Sequence, residues 1–138
     1  MLDGGSFVII EINTLSQSPI YEQLRDQVVF GIASKQLMPG EALPSVRRLA
    51  SDLGINLHTV NKSYALLCEE GYIVLDRRKG ALVSRTLEGG EEISAMLSDK
   101  LLLTAAEAIC HKISEKEFVG LCSDNYRKAL GSTRKGEG

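Results

Sequence analysis

Two short amphipathic segments, separated by a turn centred on Gly54, constrain the fold of this chain more than any other feature. In the first, LPSVRRLASDLG, apolar side chains recur every three or four residues from Val46 to Leu53, which predicts a helix with one buried face. Ser45 is a favourable N-cap for that helix, and Gly54 can adopt the left-handed conformation that ends it. Residues 56–70 repeat the helical spacing, so the pair predicts a helix-turn-helix.

A basic hairpin is predicted directly after this motif. Residues 72–75 and 81–84 are β-prone runs, and they flank the loop sequence DRRKG. A helix-turn-helix followed by such a hairpin has the order of elements of a winged helix. The run FVIIEI at residues 7–12 is predicted to be a further strand, and either this run or a short strand near Leu43 is expected to pair with the hairpin.

Further helices are predicted on both sides of the motif. The segment SPIYEQLRDQVVFGIASKQLMPG predicts an amphipathic helix that Ser18 caps and that ends before Pro39. After a flexible GG joint, residues 91–112 have helical spacing, and the sequence SEKE at Ser114 is typical of the capping box that opens a last helix. The fold class is therefore mainly α with a small β-hairpin.

Three parts follow from this order of elements. Residues 1–86 are predicted to form a winged helix-turn-helix DNA-binding domain, residues 87–130 a two-helix dimerisation region, and residues 131–138 a flexible tail. The 138 residues are 43% hydrophobic and 25% charged, which is typical of soluble globular proteins and excludes disordered or collagenous chains. No apolar run is long enough to span a bilayer, so we expect no membrane association.

Charge is unevenly distributed along the chain. The whole chain carries −2, but residues 45–85 hold seven basic and four acidic residues, a local balance of +3. We expect Arg47 and the cations of residues 77–79 to lie on the same side of the domain as the polar start of the second motif helix. The predicted DNA-binding residues are Ser45, Arg47, Arg48, Asn56, His58, Thr59, Asn61, Lys62, Arg77, Arg78, Lys79 and Gly80.

Within this set the residue types indicate different roles. Asn61 is the best candidate for reading base edges, because its amide can both donate and accept hydrogen bonds. Thr59 and Lys62 suit phosphate contacts, which position a protein without reading sequence. Arg47 suits phosphate or a guanine edge, and the hairpin cations suit the minor groove or the backbone.

The segment after the GG joint carries more apolar side chains than two isolated helices can bury. Burial against an identical subunit is the simplest solution, and folding back onto the winged helix as a monomer is the alternative. The predicted dimerisation residues are Ile93, Met96, Leu97, Leu101, Leu102, Ala105, Ile109, Phe118, Leu121 and Cys122.

No arrangement of residues typical of catalysis appears in the sequence, so we predict that the protein is not an enzyme and uses no cofactor or metal. Cys68, Cys110 and Cys122 have unrelated spacings that fit free thiols in a reducing cytoplasm. Two other functions stay open: a winged helix that binds protein rather than DNA, and a metal or small-molecule sensor built on the C-terminal helices. The sequence does not identify an effector.

Residues 13–85 resemble the DNA-binding domain of GntR-type bacterial transcription factors, through the stretch from SPIYEQLRDQ to DRRKGALVS. The short C-terminal region is similar to that of the YtrA-like subfamily, since the residues after Thr86 are too few for the larger ligand domains of other branches. The resemblance implies a homodimeric repressor on a two-fold operator; members often control their own operon and ABC-type transporter genes. The sequence departs from the family pattern at two positions. Leu57 stands where other members have Arg or Pro, and Arg78 replaces a frequent Gly.

The resemblance further implies which residues contact DNA. Family phosphate and base contacts fall on Arg47, Thr59, Arg77, Lys79 and Gly80, with Asn56, His58 and Asn61 at contact positions of the recognition helix.

Overall fold

The computed structural model describes residues 12–131 of the chain. The predicted strand at residues 7–12 falls outside this range apart from its last residue, which is not in a strand, and the predicted tail falls outside it apart from Gly131. The chain separates into two compact units that divide between Leu87 and Glu88.

The elements are those that the sequence patterns predict, with small shifts at their ends. The N-terminal unit contains α1 (Ile20–Ala33), α2 (Val46–Leu53), α3 (Leu57–Glu69), β1 (Ile73–Asp76) and β2 (Gly80–Val83). The C-terminal unit contains α4 (Glu91–Cys110) and α5 (Glu115–Ala129).

The helix-turn-helix is fixed by local caps. The backbone N–H of Arg48 donates to the Ser45 hydroxyl at 3.1 Å, which closes the first turn of α2. Gly54 ends that helix with φ +68°, a left-handed conformation in which side chains with a Cβ are strained. Asn56 caps α3, since its side-chain oxygen accepts from the backbone N–H of His58 at 2.7 Å. The predicted cap and end of α2 are therefore confirmed, and α3 begins one residue later than predicted.

The core of the N-terminal unit lies where α1 and α2 pack against α3. Leu24 and Val28 of α1 are fully buried there, as are Val60 and Leu67 of α3. Burying each of these side chains contributes about 1.5–3 kcal/mol. The apolar side chains near the start of α3 join this core, with Val60 buried and Leu57 packed against it, while Asn56, His58 and Asn61 remain exposed.

The hairpin pairs β1 with β2 in antiparallel register, from Ile73 opposite Val83 to Asp76 opposite Gly80. The segment before α2 lies along the other edge of β2, where the backbone N–H of Leu43 donates to the Ala81 carbonyl at 2.8 Å. Of the two partners expected for the hairpin, the segment near Leu43 pairs with it, through an isolated bridge between Ala42 and Leu82.

The start of α1 differs from the prediction. Ser18 is not its N-cap: the helix begins at Ile20, and Pro19 occupies the cap position without a side-chain hydrogen bond. The Gln23 side-chain amide instead donates to the Ser18 carbonyl at 2.9 Å. Pro19 has an extended backbone with ψ 148°, so the helical hydrogen bonds start from its own carbonyl.

The C-terminal unit consists of two helices with very little interior. The predicted capping box is confirmed, because Ser114 and Glu117 each accept a hydrogen bond from the other's backbone N–H. However, α4 and α5 make at most isolated contacts with each other. Ala108 is the single buried residue of α4, and α5 has none. The helix α4 also ends at Cys110, two residues before the predicted end.

Candidate nucleic-acid interface

The first turn of α3 presents polar side chains to solvent. Asn56, His58 and Asn61 are exposed, and Thr59 is half-buried. The Asn56 oxygen accepts the capping hydrogen bond, and the amide N–H groups of that side chain remain available to donate to a ligand. The free backbone N–H groups of a helix start, together with the helix dipole, also favour an anion at this end.

Lys62, one turn further along α3, is exposed and lies against an aromatic ring. Its Nζ is 4.1 Å from the ring centroid of Tyr21, near the start of α1. Sequence reasoning predicted a phosphate-binding role for Lys62 and did not identify Tyr21. The contact joins two helices, so no local pattern in either one indicates it.

Three predicted residues at the start of α2 have different surroundings. Ser45 is exposed, and its hydroxyl accepts the capping hydrogen bond, which leaves the O–H free to donate. The Arg48 Nε lies 3.6 Å from an Asp52 carboxylate oxygen, one turn along the same helix. Arg47 is exposed and forms no ion pair with any residue of the described range 12–131. Arg47 is therefore the cation of α2 whose charge is available to a ligand.

The hairpin loop holds its cations on a short turn that Asp76 organises. One Asp76 carboxylate oxygen accepts from the backbone N–H groups of Arg78 at 2.8 Å and Lys79 at 2.9 Å. These hydrogen bonds to the ionised form lower the pKa of Asp76 below its ordinary value. Gly80 completes the turn with φ +82°, and the Arg77, Arg78 and Lys79 side chains are all exposed. The sequence indicates only the opposing charge of Asp76 and not its hydrogen bonds to the loop.

Polar contacts tie these segments to the core. The hydroxyl of Tyr64, which is buried in α3, donates to the Pro44 carbonyl at 2.8 Å and thus fixes the entry to α2. Burial raises the pKa of this hydroxyl far above its ordinary value, so it stays protonated as the donor.

A second group of contacts ties α1 to the end of α3. The Arg25 guanidinium of α1 donates to Glu70 at 2.8 Å and to Asp26 at 2.8 Å, and it lies 5.4 Å from the ring centroid of Tyr72. The start of the hairpin is therefore held against α1. This group was also missed by sequence reasoning, because its members come from separate elements.

Comparison with known proteins identifies the fold and the family. A sequence profile described as "Bacterial regulatory proteins, gntR family" matches residues 20–83. The solved structure described as "YtrA from Sulfolobus acidocaldarius, a GntR-family transcription factor" is 40% identical, with a TM-score of 0.62 over 71% of this chain and 98% of that one. The chain belongs to the GntR family.

Two more similarities describe its place in the GntR family. A structure described as a "Transcriptional Antiterminator from Listeria monocytogenes EGD-e" has a TM-score of 0.83 and 27% identity over 91% of this chain and 95% of that one. The "HTH-type transcriptional repressor YtrA" of Bacillus subtilis is 40% identical over 76 residues, which are 55% of this chain and 58% of that protein. YtrA-like proteins are thus among its relatives.

Membership in the GntR family establishes the general function. The chain is a DNA-binding transcriptional regulator of the helix-turn-helix type, and its family consists of regulators rather than enzymes. Within residues 12–131, no group of three His, Cys, Asp or Glu side chains is placed to hold a metal ion. None of the helices in that range combines the length and the apolar character needed to cross a bilayer.

Proposed function

We propose that this GntR regulator is a cytoplasmic homodimeric repressor that binds a two-fold operator through its winged helix. One observation carries the proposal: Asn56, His58 and Asn61 at the start of α3 are exposed, and the exposed cations Arg47 and Arg77 have no ion pair within residues 12–131. A recognition helix with this composition suits the major groove, and cations on flanking segments suit phosphates. On this proposal the three segments form one DNA-binding surface.

Each part of the surface has its own role. Asn61 reads base edges, with His58 and the Asn56 amide at neighbouring positions of α3. Arg47, Thr59 and Lys62 contact phosphates and set the position of α3 in the groove. Ser45 and Arg48 lie beside this contact at the start of α2, where the Ser45 cap orients the first turn. The loop residues Arg77, Arg78, Lys79 and Gly80 bring the hairpin to the minor groove or the backbone.

A second copy of the chain is the partner that suits the C-terminal unit. Seven large apolar side chains of α4 are exposed in one copy, including Leu102 and Ile109 at 71% each. Covering them in both copies contributes on the order of 10–20 kcal/mol, which offsets an association cost of about 4–15 kcal/mol. On α5 Leu121 and Cys122 are exposed and Phe118 is half-buried, so that helix can add to the interface. The remaining proposed interface residues are Ile93, Met96, Leu97, Leu101 and Ala105.

Repression would follow from occupancy of a promoter by the dimer. The similarity to a protein described as a transcriptional repressor supports repression rather than activation. A transporter operon is the proposed target, since the chain resembles the YtrA-like subfamily.

Selection of bound sequences from random duplex DNA, combined with a salt titration of binding, tests this function. We expect enriched sequences with two-fold symmetry and half-sites about 10 bp apart, or a small multiple of that spacing. We also expect affinity for unselected duplex to fall steeply with salt, because neutralised phosphates release counterions. Binding that is absent, or that does not depend on salt, would instead indicate a winged helix that binds protein.

A further inference from the structure

We propose that Tyr21 is a positioning residue that holds the Lys62 ammonium in place for a DNA phosphate, which makes the start of α1 part of the DNA-binding machinery. The proposal rests on the DNA-binding role of Lys62 proposed above. It adds a residue from a helix to which the sequence patterns gave no DNA contact.

A buried anchor holds the backbone at Tyr21. The hydroxyl of Ser63 donates to the backbone carbonyl of Tyr21, and Ser63 is fully buried. Because Ser63 directly follows Lys62 in α3, this hydrogen bond fixes the start of α1 beside the residue that carries the ammonium. Tyr21 itself is half-buried, and the Lys62 ammonium lies over its ring.

The aromatic contact orients the lysine and leaves its charge available. An aromatic ring attracts a cation through its quadrupole, and it carries no negative charge that would neutralise the ammonium. Within residues 12–131 no carboxylate forms an ion pair with Lys62, whereas Arg48 has one with Asp52 at 3.6 Å. The ammonium at 4.1 Å from the ring therefore keeps N–H donors for an anion on its solvent side.

Holding the lysine on the ring also reduces the entropy that binding must remove. A free lysine side chain samples many rotamers, and ordering it at an interface weakens association. A lysine already restricted by an aromatic contact loses less freedom when a phosphate arrives. Removal of the ring should then weaken binding about two- to fivefold per subunit, the range expected for an exposed cation–π contact.

Binding to a short random-sequence duplex tests the proposal, since a phosphate contact does not depend on sequence. The variants are Tyr21→Leu, Tyr21→Phe, Lys62→Met and the double variant Tyr21→Leu/Lys62→Met. We expect Tyr21→Phe to bind like the original protein, because it keeps the ring, and Tyr21→Leu to bind about two- to fivefold more weakly per subunit. Lys62→Met should reduce the slope of log affinity against log salt by about 0.9 per subunit.

The double variant separates positioning from a general structural effect. If Tyr21 acts through Lys62, Tyr21→Leu has no further effect once Lys62 is Met. An equal loss in both backgrounds would overturn the proposal in favour of a structural role. Unchanged or tighter binding by Tyr21→Leu would also overturn it, the latter because the ring would then hold Lys62 away from DNA.

A measurement on the free protein checks the geometry without DNA. The ε-methylene protons of Lys62 should show an upfield ring-current shift in the original protein and in Tyr21→Phe, and should lose it in Tyr21→Leu. No such shift in the original protein would overturn the proposal even if a variant failed to fold. If the original protein shows the shift but no salt-dependent DNA binding, the proposed function fails; if it binds DNA without coupling between positions 21 and 62, the positioning role alone fails.

Discussion

Neighbouring arginines of the proposed interface differ in whether a carboxylate of the same protein already pairs with them. Arg48 has Asp52 within 3.6 Å, although both groups are mostly exposed and such surface pairs stabilise a helix by only about 0.3–0.5 kcal/mol. Arg47 has no such partner in the part of the chain that the structure describes. Two successive arginines of one helix should therefore contribute differently to DNA binding.

The variant Arg47→Ala should weaken binding to every duplex and reduce the salt slope by about 0.9 per subunit, because one phosphate contact is lost. Arg48→Ala is the matched control and should have the smaller effect, since its guanidinium is shared with Asp52. Binding isotherms at several salt concentrations measure both. An isotherm for Arg47→Ala that matches the original protein would show that the assigned phosphate contact is wrong.

Asn61→Ala should act on sequence preference rather than on general affinity. Loss of a bidentate amide contact lowers discrimination by about 1–3 kcal/mol at one base pair. Sequences selected by the variant should lose the preferred base at that position in each half-site, while affinity for random duplex stays close to that of the original protein. Selection of an unchanged operator would remove Asn61 from the set of base-reading residues.

The sequence was sufficient to predict which polar and cationic side chains make up the proposed interface, and all of them except the half-buried Thr59 are exposed. It was not sufficient to show how they are held. The ring of Tyr21 reaches Lys62 across two helices, and the carboxylate of Asp76 binds backbone N–H groups of its own loop. Such contacts depend on tertiary packing or on loop geometry, which residue spacing does not encode.

At the scale of elements, helix ends were predicted best where a side chain caps them locally. Ser45 and Ser114 accept the expected hydrogen bonds from backbone N–H groups, and Asn56 is a further cap that was not predicted. The start of α1 was predicted wrongly because Pro19 and Ser18 are both plausible near a helix start, and only the backbone angles decide between them. The partner of β2 was left open, since a pairing between distant segments follows from the packing of the whole unit.

The turn of the helix-turn-helix should depend on Gly54 through its backbone alone. No atom lies within 4 Å of a Cβ built there, but φ is +68°, so Gly54→Ala should lower the free energy of unfolding by about 1–2 kcal/mol. Gly89→Ala is the control, because that glycine also has free space and lacks a left-handed φ. Thermal unfolding of both variants measures the difference. Equal stability would mean that the turn relaxes without strain.

The hairpin loop should loosen in acid. The pKa of Asp76 lies below its ordinary value of 3.8, so the carboxylate stabilises the turn fully above that pH and loses this effect as the pH falls through the lowered pKa. The amide proton shifts of Arg78 and Lys79 should titrate together with a midpoint below 3.8. In Asp76→Ala this titration should be absent. A midpoint at or above 3.8 would contradict the hydrogen bonds to the carboxylate.

At the scale of the whole molecule, the two units differ in how many apolar side chains each one buries within a single copy of the chain. The N-terminal unit has a contiguous core of α1, α2, α3 and the hairpin, whereas the described part of the C-terminal unit buries little beyond Ala108. The sequence predicted this contrast, because α4 has more apolar residues than a single helical hairpin can cover. Helical order in the C-terminal unit is therefore expected to depend on association.

Dimerisation can be tested by placing the same residue at adjacent apolar and polar positions of α4. Leu101→Gln should raise the dimer dissociation constant at least about tenfold, since two buried leucines are lost per dimer. Lys100→Gln introduces the same side chain at a polar position and should have little effect. Sedimentation over a concentration series measures both, and circular dichroism should show helix content falling as the dimer dissociates. A monomer with full helix content would show that the helices fold without a partner.

Dimerisation through the nearly coreless pair α4 and α5, as proposed above, would affect how the regulator responds to its own abundance. If two chains must associate before either C-terminal unit is fully ordered, the concentration of DNA-binding dimer rises more steeply than the concentration of the chain. A small change in synthesis or dilution by growth would then produce a larger change in promoter occupancy, so the gene would be switched over a narrow range of protein copy number.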